Sequence, residues 1–234
     1  MAGDGTVVVV GGSSGIGQEL ARHYADAGVR VVVTSRDQGR AEAAAAGVGG
    51  DTTGVAVDLT QPETIAGQLA GVGPVDRVAL VAVLRDENTV RDYNLAGATN
   101  LATMKLIGYT EVVHTLSDRM HDMSSILLFG GLAKERPYPG STTVTTVNGA
   151  VSSMIRTMAI ELAPIRVNAI HPAVVGDSPY WRDKPQAVLD NLVARTPMGR
   201  LITTEDVVGA CVFLLENNGM NGINLNIDGG WLLT

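Results

Sequence analysis

The sequence predicts a doubly wound α/β fold, in which helices cover both faces of a parallel sheet of about seven strands. Apolar strand-like runs alternate with helical stretches along the whole chain. One such run, at residues 6–10, passes directly into a glycine turn and a helical pattern. The chain has 234 residues, 45% of them hydrophobic and 18% charged, without a linker or repeat. We therefore expect a single domain over residues 1–234.

The first half of the predicted sheet rests on short runs rich in valine. Residues 7–10 are all valine and have no polar face, which is typical of a strand buried on both sides. The helical pattern that starts at Gln18 ends at Ala27-Gly28, a helix stop. Pro62 begins a short helix that we expect to reach residue 70. The predicted strands are residues 6–10, 30–34, 54–58 and 75–83, with a helix at 40–46.

The second half continues the alternation with longer helices. The helix predicted at residues 141–163 begins with threonine and valine, which are poor helix formers. Packing must therefore hold it, and we expect the same helix of a second subunit to do so. The segment around Pro179, Tyr180, Trp181 and Pro185 has no predicted element. The remaining predictions are strands at 125–129, 166–170 and 223–227 and helices at 87–117 and 205–216.

The turn after the first strand indicates a site for a dinucleotide. Backbone N–H groups at the start of a helix bind a pyrophosphate when a glycine turn lets it approach. Gly11 would allow the tight turn, Gly15 the approach of the phosphates and Gly17 the packing of helix on strand. The residues expected around the phosphates are Gly11, Ser13, Ser14, Gly15, Ile16 and Gly17.

The end of the second strand selects the cofactor. An acidic residue there would bind a free ribose 2′-hydroxyl, whereas Ser35 and Arg36 are suited to a 2′-phosphate. We therefore predict NADP(H) rather than NAD(H), although Arg36 as a solvated loop charge is the alternative. Asp58 and Leu59 follow the third strand and would lie beside the adenine.

Charge and composition exclude several classes of partner. The net charge is −7 and the sequence pI is near 5.0, which argues against nucleic acid or an anionic membrane surface. Cys211 is the single cysteine and fits a reducing cytoplasm. We expect neither a membrane span nor a signal peptide. His23, His114 and His121 lack metal-ligand spacing, so no metal site is expected.

Several motifs together resemble the short-chain dehydrogenase/reductase family along nearly the whole chain. They are the glycine turn 11–17, the stretch 159–172, Pro197-Met198-Gly199-Arg200 and Asp228-Gly229-Gly230. The resemblance implies a Rossmann fold, a bound nicotinamide dinucleotide, further cofactor contacts from Asn94, Pro172 and Val175, and assembly as a homodimer or homotetramer.

The catalytic positions that the resemblance implies are mostly changed. The family uses an asparagine on the fourth helix, a serine after the fifth strand, and a tyrosine with a lysine four residues on. Asn94 fits the asparagine position, but the other three positions hold Gly131, Val144 and Asn148. Valine has no proton to give and asparagine no charge, so we expect ordinary carbonyl reduction to be weak or absent.

Other groups at the same sheet edge are candidates for a relocated proton donor. Lys134 and Tyr138 lie just past the fifth strand, and His171 ends the sixth, where it could exchange protons near pH 7. The alternatives are a solvated loop for Lys134, packing for Tyr138 and local hydrogen bonding for His171. Lys105, Lys134 and Lys184 have no tyrosine at the family's spacing.

Two functions fit these observations. One is an NADP(H)-binding oxidoreductase with a relocated donor and a hydrophobic small-molecule substrate covered by Tyr180 and Trp181. The other is a non-catalytic module that binds a dinucleotide or ligand, or a regulatory partner subunit. Fold alone does not choose between them.

Overall fold

A computed structural model describes residues 5–234 as one parallel seven-stranded sheet flanked by helices. The strand order is β3-β2-β1-β4-β5-β6-β7. The strands are β1 (Thr6–Val10), β2 (Val31–Ser35), β3 (Thr52–Ala56), β4 (Val75–Leu80), β5 (Met120–Phe129), β6 (Arg166–Pro172) and β7 (Asn224–Ile227). The α-helices are α1 (Gly15–Asp26), α2 (Gln38–Val48), α3 (Pro62–Gln68), α4 (Leu95–Ala102), α5 (Tyr109–Ser117), α6 (Thr142–Glu161), α7 (Gln186–Ala194) and α8 (Thr204–Glu216).

Both faces of the sheet are buried, which confirms the predicted doubly wound architecture. Successive side chains of β1 point to opposite faces. Val8 and Val10 pack against the helices α3 to α6, including Leu101 and Ile155. Val7 and Val9 pack on the other face against α1, α2 and α8. This two-sided burial explains why the strand reads as an uninterrupted valine run.

The parallel register brings the carboxyl ends of the central strands to one edge. Val10 pairs with Thr34 of β2 and Leu80 of β4, and Leu80 pairs with Leu128 of β5. Phe129 in turn pairs with Ile170 of β6. The loops that leave these strands therefore meet at the edge where ligands bind in open α/β sheets.

The fourth predicted strand is too long at its carboxyl end. β4 ends at Leu80, not at residue 83, because the N–H groups of Val81 and Ala82 both donate to the Val10 carbonyl. Two donors on one acceptor turn the chain away from the ladder. Val81 and Ala82 consequently lie beside the glycine turn instead of extending the sheet.

The predicted helix at residues 87–117 begins only at Leu95. Asn88 holds the preceding loop closed, because its side chain donates to Asp86 at 2.7 Å and both accepts from and donates to the backbone of Asn94. After α4 the helix passes through a π-helical segment, Thr103–Gly108, before α5. Helix α7 was not predicted, because the prolines around it indicated irregular structure.

Helix α6 has most of its predicted length and is packed within its own chain. Val147, Val151 and Ile155 belong to the core on one face of the sheet. These contacts supply the tertiary support that its threonine-rich start requires. In the part of the chain that the structure describes, none of the helices is both long enough and apolar enough to cross a membrane.

Candidate functional site

A cavity of about 1160 Å³ follows the carboxyl edge of the sheet. It is long, with the glycine turn and the end of β2 at one end and the loops after β5 and β6 at the other. The predicted cofactor residues that line it are Gly11, Ser13, Ser14, Gly15, Ile16, Gly17, Ser35, Arg36, Asp58, Leu59, Pro172 and Val175. One continuous space therefore joins almost all the residues expected to touch a dinucleotide.

The glycine turn is built by close backbone packing. Gly11 has a φ of +88°, and a Cβ there would lie 2.6 Å from the Ala82 nitrogen. A Cβ on Gly17 would lie 2.4 Å from the Gly11 carbonyl oxygen. Side chains at these two positions would push α1 away from the turn, so only glycine lets the helix start beside the end of β1.

The start of α1 is open to an anion. The side chain of Ser14, the N-cap residue, makes no capping hydrogen bond, and the first turn contains no acidic residue. A Cβ on Gly15 would meet nothing closer than Pro179 Cδ at 3.4 Å. The first-turn N–H groups thus face a space with room for phosphate oxygens and with a favourable helix dipole.

The end of β2 presents two arginines to the cavity, and the neighbouring Asp37 does not line it. Arg36 and Arg40 are exposed and line the cavity. The nearby Asp37 is the N-cap of α2, and its carboxylate accepts a hydrogen bond of 2.8 Å from the Arg40 backbone N–H. Asp58 is also committed locally, because one carboxylate oxygen accepts from the backbone and hydroxyl of Thr60.

The other end of the cavity lies against the loop after β5. Gly131, Val144 and Asn148 all line it. A Cβ on Gly131 would lie 2.8 Å from the Asn148 side-chain nitrogen, so the glycine and the amide are in close contact. None of the three side chains carries a hydroxyl, a phenol or an ammonium group.

His171 is fully buried at the end of β6. Its Nδ1 accepts the Gly131 N–H at 3.1 Å, and Nε2 therefore carries the proton and donates to Asn224 Oδ1 at 2.8 Å. Burial lowers the pKa of His171 to about 4, although the bond to Asn224 opposes the shift. The expectation that His171 exchanges protons near pH 7 is therefore corrected, because the ring is neutral and both nitrogens are occupied.

We expect His171 to make stability pH-dependent. The unfolded ring takes up a proton near pH 6.5 and the folded ring only near pH 4, so the free energy of unfolding falls as pH decreases between these values. The loss is up to about 3 kcal/mol. Urea unfolding of His171→Gln should lack this part of the pH dependence, whereas His114→Gln, at an exposed position, should keep it. Identical profiles for His171→Gln and the unaltered protein would contradict the assignment.

Two candidate residues lie outside the cavity. Asn94 is exposed at the start of α4, where its side chain accepts the Gly97 N–H at 3.0 Å as a helix cap. Lys134 donates to Glu135 at 2.5 Å, and neither Lys134 nor Asn94 lines the wall. The Lys134 side chain is only 10% exposed, so it differs from the solvated loop residue considered as its alternative.

Tyr138 does line the cavity, but near its mouth. Its side chain is 53% exposed, and partial burial raises the pKa of its phenol. The segment after β6, which contains Tyr180, covers the mouth. The guanidinium carbon of Arg85, from the loop after β4, lies 3.3 Å from the centre of the Tyr180 ring. Trp181 and Trp231 add further aromatic surface to this end.

Lys105 also lines the cavity, although it was not among the predicted site residues. Its Nζ donates to the Tyr109 hydroxyl at 2.8 Å and to the Phe129 carbonyl at 2.7 Å. This pair does not match the family's pattern of a tyrosine with a lysine four residues on, because here the lysine comes first. The available signal was a lysine inside an apolar helical run, four residues before a tyrosine.

The stretch that begins at Lys105 has the same motif spacing as the stretch that begins at Asn94. Asn94-Leu95-Ala96-Gly97 and Lys105-Leu106-Ile107-Gly108 share the spacing of a leucine and a glycine. Only the second glycine is held at a close approach, since a Cβ on Gly108 would lie 2.3 Å from the Leu59 carbonyl oxygen. Lys105 of the second stretch lines the cavity, whereas Asn94 of the first does not.

Within residues 5–234 no cluster of three or more His, Cys, Asp or Glu side chains could hold a metal ion. Cys211 is buried and unpaired, and burial raises the pKa of its thiol. Neither observation supports metal ligation or a reactive thiol among the described residues.

Comparison with known proteins gives the same family from sequence and structure. Residues 10–232 match the family described as Enoyl-(Acyl carrier protein) reductase. L-xylulose reductase of Bos taurus is 33% identical over 242 residues, covering 97% of this chain and 96% of that protein. Carbonyl reductase [NADPH] 2 of Sus scrofa is 29% identical over 238 residues, covering 96% of this chain and 95% of that protein. A solved "short chain dehydrogenase/reductase family protein" superposes with a TM-score of 0.87 at 29% identity, covering 98% of each chain.

Proposed function

Because the chain belongs to the short-chain dehydrogenase/reductase family, we propose that it is an NADP(H)-dependent oxidoreductase that lacks the family's serine, tyrosine and lysine. Its substrate would be a small, largely hydrophobic carbonyl compound or the corresponding alcohol. The observation that carries the proposal is the single cavity that runs from the glycine turn to the loop after β5. The curated relatives above are reductases, which supports the reaction class.

The residues along the cavity fit a dinucleotide. The amides of residues 11–17 would hold the pyrophosphate, Asp58 and Leu59 the adenine, and Pro172 and Val175 the nicotinamide end. When bound, the reduced dinucleotide supplies the hydride. The protein's own contribution is to place the substrate carbonyl beside residues 129–131 and to exclude water beneath Tyr180 and Trp181.

A preference for NADP(H) over NAD(H) follows from the charges at the end of β2. Arg36 and Arg40 both line the cavity and can approach a 2′-phosphate, while Asp37 caps α2 through the Arg40 N–H and does not line the cavity. The name of the porcine relative includes NADPH, which is consistent with this preference.

The proposal predicts that NADPH binds more tightly than NADH and that Arg36→Asp removes the difference. One charge-assisted contact contributes about 1.5–3 kcal/mol, so the variant should lose about 10- to 100-fold in NADPH affinity. Calorimetric titration with both reduced cofactors measures this, and Arg91→Asp, which is exposed outside the cavity, is the matched control. Equal affinities in the unaltered protein would refute the NADP(H) preference.

Turnover tests the remainder of the proposal. A panel of hydrophobic ketones and aldehydes should oxidise bound NADPH, and because Gly131, Val144 and Asn148 provide no proton, this turnover requires a donor elsewhere in the cavity. Binding without turnover across the panel would instead favour the non-catalytic module. Homodimer or homotetramer assembly, a cytoplasmic location and the lack of nucleic-acid and membrane partners stay predictions.

A further inference from the structure

Lys105 is a lysine enclosed in the wall of the cavity. It is 3% exposed, and it lies on the π-helical segment between α4 and α5, next to Phe129 and Gly130. Buried lysines are rare, because moving an ammonium group out of water is costly unless it is paired. Its position at the substrate end of the cavity therefore calls for a chemical explanation.

The Lys105 amine is fixed by neutral partners. Nζ donates to the Tyr109 hydroxyl and to the carbonyl oxygen of Phe129, the last residue of β5. Tyr109 in turn donates to the Ala82 carbonyl at 2.7 Å, just beyond β4. The pair thus connects the helix to the ends of two adjacent strands, and the amine cannot swing out of the wall without breaking both bonds.

These partners leave one position on Nζ unused in either protonation state. An ammonium has three N–H donors, two of which are occupied by Tyr109 and Phe129. A neutral amine has two N–H donors for the same acceptors and one lone pair. The same fixed geometry therefore accommodates a group that gives up a proton and later accepts one.

No opposite charge holds Lys105 in its cationic form. Among the described residues, no carboxylate accepts a hydrogen bond from Nζ, and burial lowers the pKa of the ammonium to about 7. The other titratable groups nearby are Tyr109 and His171, whose pKa the charge of Lys105 helps to lower. The helices packed around it carry three charged residues, Glu63 in α3 and Arg156 and Glu161 in α6. At the far end of the sheet, β4 carries Asp76 and Arg77, and β5 carries His121 and Asp122.

The other candidate donors are less suitable. Lys134 lies outside the cavity and is paired with Glu135, and the ring nitrogens of His171 are both engaged. Tyr138 stands near the mouth, half exposed, where water competes for the substrate oxygen. Of these four residues, Lys105 alone combines a place in the wall, a fixed geometry and an exchangeable proton.

We propose that the ε-amino group of Lys105 is the proton donor for carbonyl reduction in this cavity, with Tyr109 as its positioning residue. This inference rests on the proposed function. As hydride adds to the carbonyl carbon, the carbonyl oxygen takes a proton from Nζ, so that one O–H bond forms and one N–H bond breaks. Lysine is left as a neutral amine and regains its proton from water, and the reverse steps apply to alcohol oxidation.

Kinetics of two variants test the assignment. Lys105→Met removes the amine, and Lys105→Gln keeps an N–H donor for the Phe129 carbonyl but cannot exchange a proton near neutral pH. Both should lower kcat for ketone reduction by about 10²- to 10⁴-fold with unchanged NADPH affinity. In the unaltered protein kcat should fall as pH rises through about 7, and this dependence should vanish in both variants. In Tyr109→Phe the midpoint should move to lower pH, because an acceptor that favours the ammonium is lost.

A spectroscopic titration provides a readout independent of turnover. The chain has three lysines, so NMR of protein labelled with ¹³C at lysine Cε should give one signal that titrates near pH 7 and is absent from Lys105→Met. Saturation with NADP⁺ should lower its midpoint further, because the proposed function would place the cationic nicotinamide at this end of the cavity.

The two hypotheses fail in different ways. NADPH binding without turnover in the unaltered protein would refute the proposed function. Turnover that survives in Lys105→Gln, or that is lost instead in Tyr138→Phe, would refute the role of Lys105. If Lys105 does not titrate near pH 7, or its signal ignores NADP⁺, the assignment is refuted even for a protein without turnover.

Discussion

Gly17→Val should abolish detectable NADPH binding. The added Cβ would lie 2.4 Å from the Gly11 carbonyl oxygen and 3.1 Å from Gly12 Cα, and both are backbone atoms that cannot turn aside. Helix α1 must then move away from β1, which takes its first-turn N–H groups out of reach of the pyrophosphate. We expect NADPH affinity, measured by calorimetric titration, to fall by more than about 100-fold. The overpacking should also lower the free energy of unfolding in urea by about 1–3 kcal/mol.

A matched glycine substitution separates this effect from a general loss of stability. Gly67 lies in α3, and a Cβ there would meet nothing within 4 Å. Gly67→Ala should leave NADPH binding unchanged and raise the free energy of unfolding by about 0.4–1 kcal/mol. Unaltered NADPH affinity in Gly17→Val would show that the turn does not hold the cofactor.

Arg166→Leu should destabilise the fold strongly. The buried guanidinium at the start of β6 donates to the carbonyl oxygens of Leu214 at 2.9 Å, Leu215 at 2.7 Å and Met220 at 3.2 Å. It therefore satisfies the last turn of α8 and opposes the negative end of the helix dipole. Without Arg166 the Leu214 carbonyl loses its side-chain donor, whereas Leu215 keeps the Ser125 hydroxyl and Met220 keeps the Asn168 amide. The unsatisfied carbonyl and the lost helix-end charge should together lower the free energy of unfolding by about 2–4 kcal/mol in urea denaturation.

Two further substitutions make the Arg166 prediction specific. Arg166→Lys keeps the charge but offers a compact ammonium in place of a planar fork, so we expect an intermediate loss. Arg91→Leu, at an exposed position, should change stability by less than about 0.5 kcal/mol. A similarly small change in Arg166→Leu would mean that the Leu214 carbonyl finds another donor.

Much of the fold was predictable because its signals are local. The bounds of β1 agree with the prediction, since five buried residues and the glycine turn after them are adjacent in the chain. Boundaries were missed where distant groups decide them. β4 stops early because Val81 and Ala82 bond to Val10, and α4 starts late because Asn88 holds Asn94. Such contacts join residues whose order in the sequence gives no hint of the pairing.

The site was predictable around the glycine turn and not around Lys105. The glycine turn carries its own geometry, so residues 11–17 could be read directly. Lys105 could not, because its burial depends on the packing of α5 against two strand ends, and lysine in a helix is usually solvated. Asn94 had the expected motif in the wrong place, since the packing of Gly108 on Leu59 distinguishes the two similar stretches only in three dimensions.

The π-helical segment makes this region unusually sensitive to chain length. Leu101 and Leu116, on either side of residues 103–108, pack into the same core, while Lys105 and Tyr109 between them meet at a hydrogen bond. A π turn holds one residue more than an α turn, so deleting one residue would let the segment become α-helical with Leu101 and Leu116 still in the core. The side chains inside the turn would then be redirected, and Lys105 would lose its alignment with Tyr109 and Phe129. A one-residue gap would here leave the fold intact and misplace the chemistry.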